Sequence, residues 1–243
     1  MLVKPTPPAS PWHNGEIALQ TRIGVAERMD AVGRRVMRDH MIEQHRLFYP
    51  QLPFVVLGAV DHAGAVWATV RAGRPGFLQA PDATRLDVNM PRDTADPAED
   101  GMDDHAAIAL LGIEPATRRR NRLNGAIRRD GADGFAIVVE QSYGNCPRYI
   151  EPRTSCFARD PREPATAPAA VASTLDARAR AMIETADTFF VATYVDREDG
   201  TRQVDVSHRG GRPGFVHIEK DGGLTVPDYA GNQFFNTLGN IVA

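Results

Sequence analysis

The chain contains one segment twice, and that duplication limits what it can fold into more than any other feature. Ala65–Val88 reads AVWATVRAGRPGFLQAPDATRLDV, and Gln203–Val226 reads QVDVSHRGGRPGFVHIEKDGGLTV, aligned without gaps at an offset of 138 residues. Identities fall at Val66/Val204, Arg71/Arg209, Gly73/Gly211, Arg74/Arg212, Pro75/Pro213, Gly76/Gly214, Phe77/Phe215, Leu86/Leu224 and Val88/Val226. Each copy follows an apolar run and an Asp-led turn, the pattern of a β-hairpin. Consecutive identities inside matching strand patterns favour duplication over two unrelated hairpins that share a Pro-Gly turn. The expectation is two superposable β units, with Phe54–Val88 matching Phe190–Val226. In the first copy further strand-like runs follow; in the second only Pro227–Ala243 remains. A barrel closes to remove unpaired edges. The second unit is therefore expected to be incomplete, with self-association or an exposed sheet edge as the consequence.

Four regions follow from the pattern: an N-terminal arm and helices over 1–46, a first β unit over 47–157, a linker and helix over 158–186, and an incomplete second unit over 187–243. Met1–Trp12 has four prolines and no apolar stretch, which predicts a flexible arm and not a signal peptide. Gly15–His45 carries a loose helical period interrupted near Gly24 and Gly33, so one or two helices are expected, ending before Pro50. Strands are predicted at 54–60, 65–70, 77–79, 85–88, 107–113, 135–141, 188–195 and 203–208. Pro and Ala dominate between Arg159 and Pro168, a boundary. Ser173 and Asp176 resemble a capping pair for a helix over Leu175–Ala186, with Leu175, Ala179, Met182, Ile183 and Ala186 on one face.

With 28 Lys and Arg against 31 Asp and Glu, the net charge is −3, which argues against general nucleic-acid binding while allowing a local basic pocket. No apolar stretch is long enough for a membrane span, and Cys146 and Cys156 are too few for a disulfide framework. A cytoplasmic protein is the expectation. Common catalytic and nucleotide-binding signatures are missing. His40 and His45, separated by four residues, do not share a helical face, so they read as surface-helix residues and not as metal ligands. No metal site is expected.

Three segments carry candidate chemistry. Thr117–Arg122 (TRRRNR) is either a charged edge strand or, through residues such as Arg120, a receptor for an anionic group, because guanidinium forks match phosphate. Ser207–Arg212 (SHRGGR) joins a hydroxyl, an imidazole and two arginines to glycines that allow close backbone approach: Ser207, Arg209, Gly210 and Arg212. Pro227–Thr237 sets polar groups at a turn leading toward a helix, where anions are favoured. Gln141–Ile150 closes the first unit with polar and aromatic groups, Gln141 and Asn145 among them.

Four motifs, LLGIEPATRRRNRLNG (Leu110–Gly125), EQSYGNCPRYIEPR (Glu140–Arg153), DVSHRGGRPGFV (Asp205–Val216) and VPDYAGNQFFNTLGNI (Val226–Ile241), resemble the pyridoxamine 5′-phosphate oxidase-related, FMN-binding split-barrel family, in its larger tandem subgroup. The resemblance implies a mainly β fold with flanking helices, a tandem split barrel whose second copy is truncated, and FMN held where the two units meet. It implies a flavoprotein, an FMN-dependent oxidoreductase with a small-molecule redox partner, usually a homodimer. Carried to matching positions, the strand Arg of the family becomes Arg209 with Ser207 beside it, and the next turn becomes Pro227, Asp228 and Asn232. The basic Ser-Arg-Lys stretch of the oxidase is replaced here by Gly231-Asn232-Gln233, a departure from that enzyme's own phosphate site. The rival readings are a non-catalytic module for a flavin, haem or other anionic cofactor, and a half-barrel whose role is dimerisation.

Overall fold

The structure is a computed structural model describing residues 10–129, 131–163 and 170–243. It is mainly β. Seven strands form one antiparallel sheet: β1 (Phe54–Val60), β2 (Val66–Ala72), β3 (Leu78–Gln79), β4 (Arg85–Val88), β5 (Ala107–Glu114), β6 (Arg119–Arg128) and β7 (Phe135–Gly144), in the order β2-β1-β5-β6-β7-β4-β3. The two edges, β2 and β3, are consecutive in the chain, joined only by Gly73–Phe77. Six residue steps reach about 21 Å, whereas seven flat strands would set their edges about 29 Å apart. The sheet therefore curls into a split barrel, and the joining loop crosses its end, where the Gly73 and Gly76 amides donate to the carbonyls of Pro53 and Pro50.

The pleat decides which residues fill the barrel. Val55, Leu57 and Ala59 of β1 and Ile108 and Leu110 of β5 point inward, against Met41, Phe48, Leu52, Leu78, Leu86, Leu123 and Ile137. Their neighbours Val56, Val60, Ala109 and Leu111 point outward and are also buried. Burial on two faces explains why both strands read as unbroken apolar runs. The outer cover is a second hairpin, β8 (Thr188–Asp196) and β9 (Arg202–Gly210), which contributes Ala192, Val204 and Val206. Gly58 permits this approach: a Cβ there would stand 3.1 Å from Val206 Cβ.

The repeat is present in local geometry. In both copies the Phe amide of the Gly-Arg-Pro-Gly-Phe turn donates to the Arg carbonyl, Gly76 and Gly214 take φ of +98° and +82°, and a Cβ on Gly73 or Gly211 would run into the Phe ring at 2.4 or 2.6 Å. Short pairs β3–β4 and β10 (His217–Ile218)–β11 (Leu224–Thr225) follow each turn. The register corrects the expected match of Phe54 with Phe190. Phe54 pairs with Ala72, and Thr188 pairs with Gly210, the repeat partner of Ala72. Phe54 thus corresponds to Thr188, and the second hairpin extends two residue pairs further.

The helices are α1 (Asn14–Arg22), α2 (Ala26–Val36), α3 (Glu43–Phe48), α4 (Ala177–Thr185) and α5 (Asn236–Val242). Gly24, at φ +72°, separates α1 from α2 as expected. Gly33 does not break α2; a Cβ there would meet the Trp12 ring at 2.7 Å, so it is a packing point. Trp12 is buried and donates its indole N–H to Met29 O, which ties down the end of the expected arm; Met1–Ala9 lies outside the described residues. Part of the Arg159–Pro168 boundary lies outside them too. Asp176, and not Ser173, caps α4, accepting from the Ala179 amide, so the helix begins two residues later than expected, and no residue of α4 is buried. His45 is not a surface residue: it is buried, with its Nδ1 2.9 Å from Ser142 Oγ. No helix among the described residues is long and apolar enough to cross a membrane.

Candidate functional site

The basic segment is a central strand. β6 pairs with β5 on one side and β7 on the other, so the edge-strand reading is corrected. Alternation sends Leu123 into the barrel and Arg120 and Arg122 outward, toward β9. Two arginines two positions apart then meet different surroundings.

Arg122 is enclosed. Its two terminal nitrogens donate to Tyr143 Oη (3.0 Å), Asn236 Oδ1 (2.6 Å), Val206 O (3.1 Å) and Ser207 Oγ (2.6 Å). Its Nε stands 3.0 Å from Asp205 Oδ1. Burial works against the charge, but Asp205 and Tyr143 more than offset it, and the guanidinium pKa is raised. Ser207 in turn donates to Asp205 Oδ2 at 3.0 Å, and Asn236 donates to Glu16 Oε1 at 2.7 Å. Arg122 thus fastens β6, β7, β9, α1 and α5 together, with both terminal nitrogens engaged by protein acceptors.

Arg120 and Arg209 are less well compensated. Arg120 donates from Nε to Cys146 O at 2.9 Å and from one terminal nitrogen to His208 Nδ1 and His208 O, each at 3.3 Å. Burial and the nearby charge of Arg122 lower its pKa to about 10. Arg209 is half-buried and has no hydrogen bond or ion pair among the described residues; burial lowers its pKa, and Asp228 acts in the opposite direction. His208 between them is neutral, its pKa pushed down to about 3 by burial and then by Arg120, Arg209 and Arg153. A guanidinium can only donate, so His208 Nδ1 accepts and the ring proton sits on Nε2.

These groups line a cleft of about 240 Å³ between β6, β9 and the segment 228–238, continuous in its lining with a smaller recess of about 70 Å³. Eight of the ten candidate residues border it: Arg120, Asn145, Ser207, Arg209, Gly210, Pro227, Asp228 and Asn232. Asn145 accepts from Asn232 Nδ2 at 3.4 Å, and its own Nδ2 is buried without a partner. Gly210 admits protein and not ligand: a Cβ would stand 2.0 Å from Tyr149 O. Tyr149 Oη and Arg148 both donate to Ala230 O, pinning the turn at one side of the cleft. Arg212 lies elsewhere, on a groove with Tyr149, Pro213 and Phe215. Gln141 also lies elsewhere, accepting from Asn124 at 3.2 Å. With Arg122 and Asp205 mutually neutralised and His208 uncharged, Arg120, Arg148, Arg209 and Asp228 leave the cleft and its recess a formal net charge of two positive.

Arg71, the repeat partner of Arg209, has the opposite fate. It is buried, 2.8 Å from Glu99, 3.3 Å from Asp93 and 3.3 Å from Asp96, and Arg129 meets Glu99 at 3.2 Å. Sequence reasoning took Arg122 and His208 only as members of their segments and passed over Asp205 and Glu16. An isolated acid in the apolar strand QVDV, and an Arg one strand period after Arg120, were the available signals.

Among solved structures, the chain is similar to a putative pyridoxamine 5′-phosphate oxidase from Lactobacillus delbrueckii (13% identity, TM-score 0.35, 44% of this chain and 95% of that one). It is also similar to Group A Streptococcus HupZ (16% identity, TM-score 0.34, 43% and 94%) and to an F420 reductase (15% identity, TM-score 0.30, 42% and 95%). Each overlap covers less than half of this chain. No family model and no curated protein matches it.

Proposed function

We propose that the cleft binds the phosphate end of a flavin mononucleotide and that the protein is a flavin-dependent oxidoreductase. The observation that carries this is Arg209: a half-buried guanidinium with no hydrogen bond or ion pair among the described residues, beside an Arg120 whose charge is also incompletely offset. Burying a cation is costly unless an anion accompanies it. The donor set fits a phosphate. Arg209 supplies a fork, the orphaned Asn145 Nδ2 an amide donor, and Arg120 a second positive charge held in place by Cys146 O and His208. Asp228 works against an anion, so affinity for the phosphate falls below that of a cleft with the two arginines alone.

A bound flavin would supply two-electron chemistry. This chain's part is to hold and orient it. His208, kept neutral, accepts from Arg120 and adds no charge of its own to the cleft. The Arg122 network fixes β9 against β6, so the spacing of Arg120 and Arg209 is set by the core and not by flexible side chains. In pairs of this chain, dimer formation is a further expectation of the same reading.

The test is titration of FMN and riboflavin into the parent protein and Arg209→Ala. Hydrogen bonds to charged groups contribute roughly 1.5–3 kcal/mol, so FMN should weaken about 10- to 150-fold in the variant while riboflavin changes little. Equal losses would place Arg209 in packing, and no flavin binding by the parent would overturn the reading. Anaerobic reduction of the bound flavin by NADH or NADPH then separates an oxidoreductase from a non-catalytic carrier.

A further inference from the structure

A second cavity, of about 520 Å³, lies against β1, β2, β5, β8 and the segment 150–157. It is more than twice the volume of the cationic cleft, and its character is different. Its walls include Phe54, Val70, Ile113, Ile150, Phe157 and Phe190. Its volume falls within the roughly 300–1,000 Å³ of small-molecule sites, which are mostly apolar with a few placed polar groups. Neither core cluster fills it: Val70 is 55% exposed on β2 and Phe157 is 41% exposed, two large apolar side chains left open.

The charges around it select against anions. Arg153 is tied to Asp187 at 2.6 Å. Glu151 makes no ion pair among the described residues and disfavours anions. The placed polar group is His208, which lines this cavity as well as the cleft. Its Nδ1 is engaged by Arg120 and its ring meets Phe190 edge-on at 5.7 Å. That leaves Nε2–H, which no described residue accepts and which is not among the fully buried unpartnered atoms.

We propose that this cavity is a binding site for a neutral, planar aromatic molecule carrying a carbonyl-type acceptor, with the phenylalanines packing its rings and His208 Nε2 donating to the acceptor. The site is built without any group of the proposed phosphate cleft except His208, so it stands or falls separately from the flavin reading.

The experiment uses flavin-free protein and two planar probes with the same number of heavy atoms, 2-acetylnaphthalene and 2-isopropenylnaphthalene, titrated by fluorescence. Both should bind, the acetyl compound about 2- to 13-fold more tightly, as a neutral hydrogen bond predicts. Val70→Trp, which fills the mouth from an exposed strand position, should weaken both probes at least tenfold and leave FMN affinity unchanged. His208→Phe should abolish the preference for the acetyl compound while both probes still bind. Failure of either probe to bind, or probe binding unaffected by Val70→Trp, overturns the site whatever FMN does. A preference that survives His208→Phe overturns the assigned donor. Loss of FMN binding with the probe results intact overturns only the flavin reading.

Discussion

Raising the pH through neutrality should destabilise this fold through one buried carboxyl group. Glu16 is 1% exposed, and its pKa is raised from 4.5 to about 8. Burial is the main cause, moderated by the hydrogen bonds from the His13 amide and Asn236. The folded state therefore holds a proton that the unfolded chain releases. A raised folded-state pKa contributes stability that is fully present below pH 4.5 and is lost as the pH climbs to about 8. Each pH unit in that window removes about 1.4 kcal/mol, roughly 5 kcal/mol in all, against a typical total of about 5–15 kcal/mol. His208 acts with the opposite sign. Its pKa is depressed from 6.5 to about 3, so its contribution is present above pH 6.5 and is lost as the pH falls toward 3. His13 and His45, whose pKa values burial also lowers, act in the same direction as His208, so the histidines oppose Glu16 between pH 4.5 and 6.5, and above that the slope of Glu16 remains. Urea unfolding followed by circular dichroism at several pH values, on the parent and on Glu16→Gln, isolates the carboxyl because His208 is common to both. From pH 5.5 to 7.5 the stability difference should move by about 2.7 kcal/mol in favour of Gln. Parallel curves would mean that Glu16 is already ionised in the fold, held by the charge of Arg122, and would refute the reasoning.

Arg122→Met strands Asp205 in the interior and should cost about 3–5 kcal/mol; adding Asp205→Leu should recover part of it, with a coupling of about 1–3 kcal/mol in the double-mutant cycle, whereas additive costs would deny the pair. Because Arg71 is neutralised by Asp93, Asp96 and Glu99 while its repeat partner Arg209 is not, equilibrium dialysis should find one tight FMN equivalent per chain; two equal sites would contradict this. Gly125→Ala should lower the melting temperature by the equivalent of about 1–3 kcal/mol, since its Cβ would fall 1.9 Å from Val138 O at the β6–β7 bulge; an unchanged melt would show that the bulge yields.

Local features were legible in the chain. The Gly-Arg-Pro-Gly-Phe turn takes the same form twice because its determinants lie within five residues: a glycine at positive φ and a glycine under the Phe ring. Strand periods, the helix break at Gly24 and the Asp176 cap are of the same kind. So is the double burial of β1 and β5, written as unbroken apolar runs. Gathering Arg120, Asn145 and Asn232 beside Arg209 was legible only through the resemblance, since those residues come from separate strands and turns. What the tertiary structure alone decided is the state of each charge. Arg71 and Arg209 hold identical places in the repeat, yet one is surrounded by three carboxylates from the unrepeated segment 93–99 and the other is left open. Arg120 and Arg122 share one strand face, but only Arg122 meets Asp205. The pKa values of His45 and His208 are lowered because of what packs over them. A side chain's charge, partners and access depend on atoms brought in from distant parts of the chain, and a repeated sequence carries its turns with it but not its neighbours.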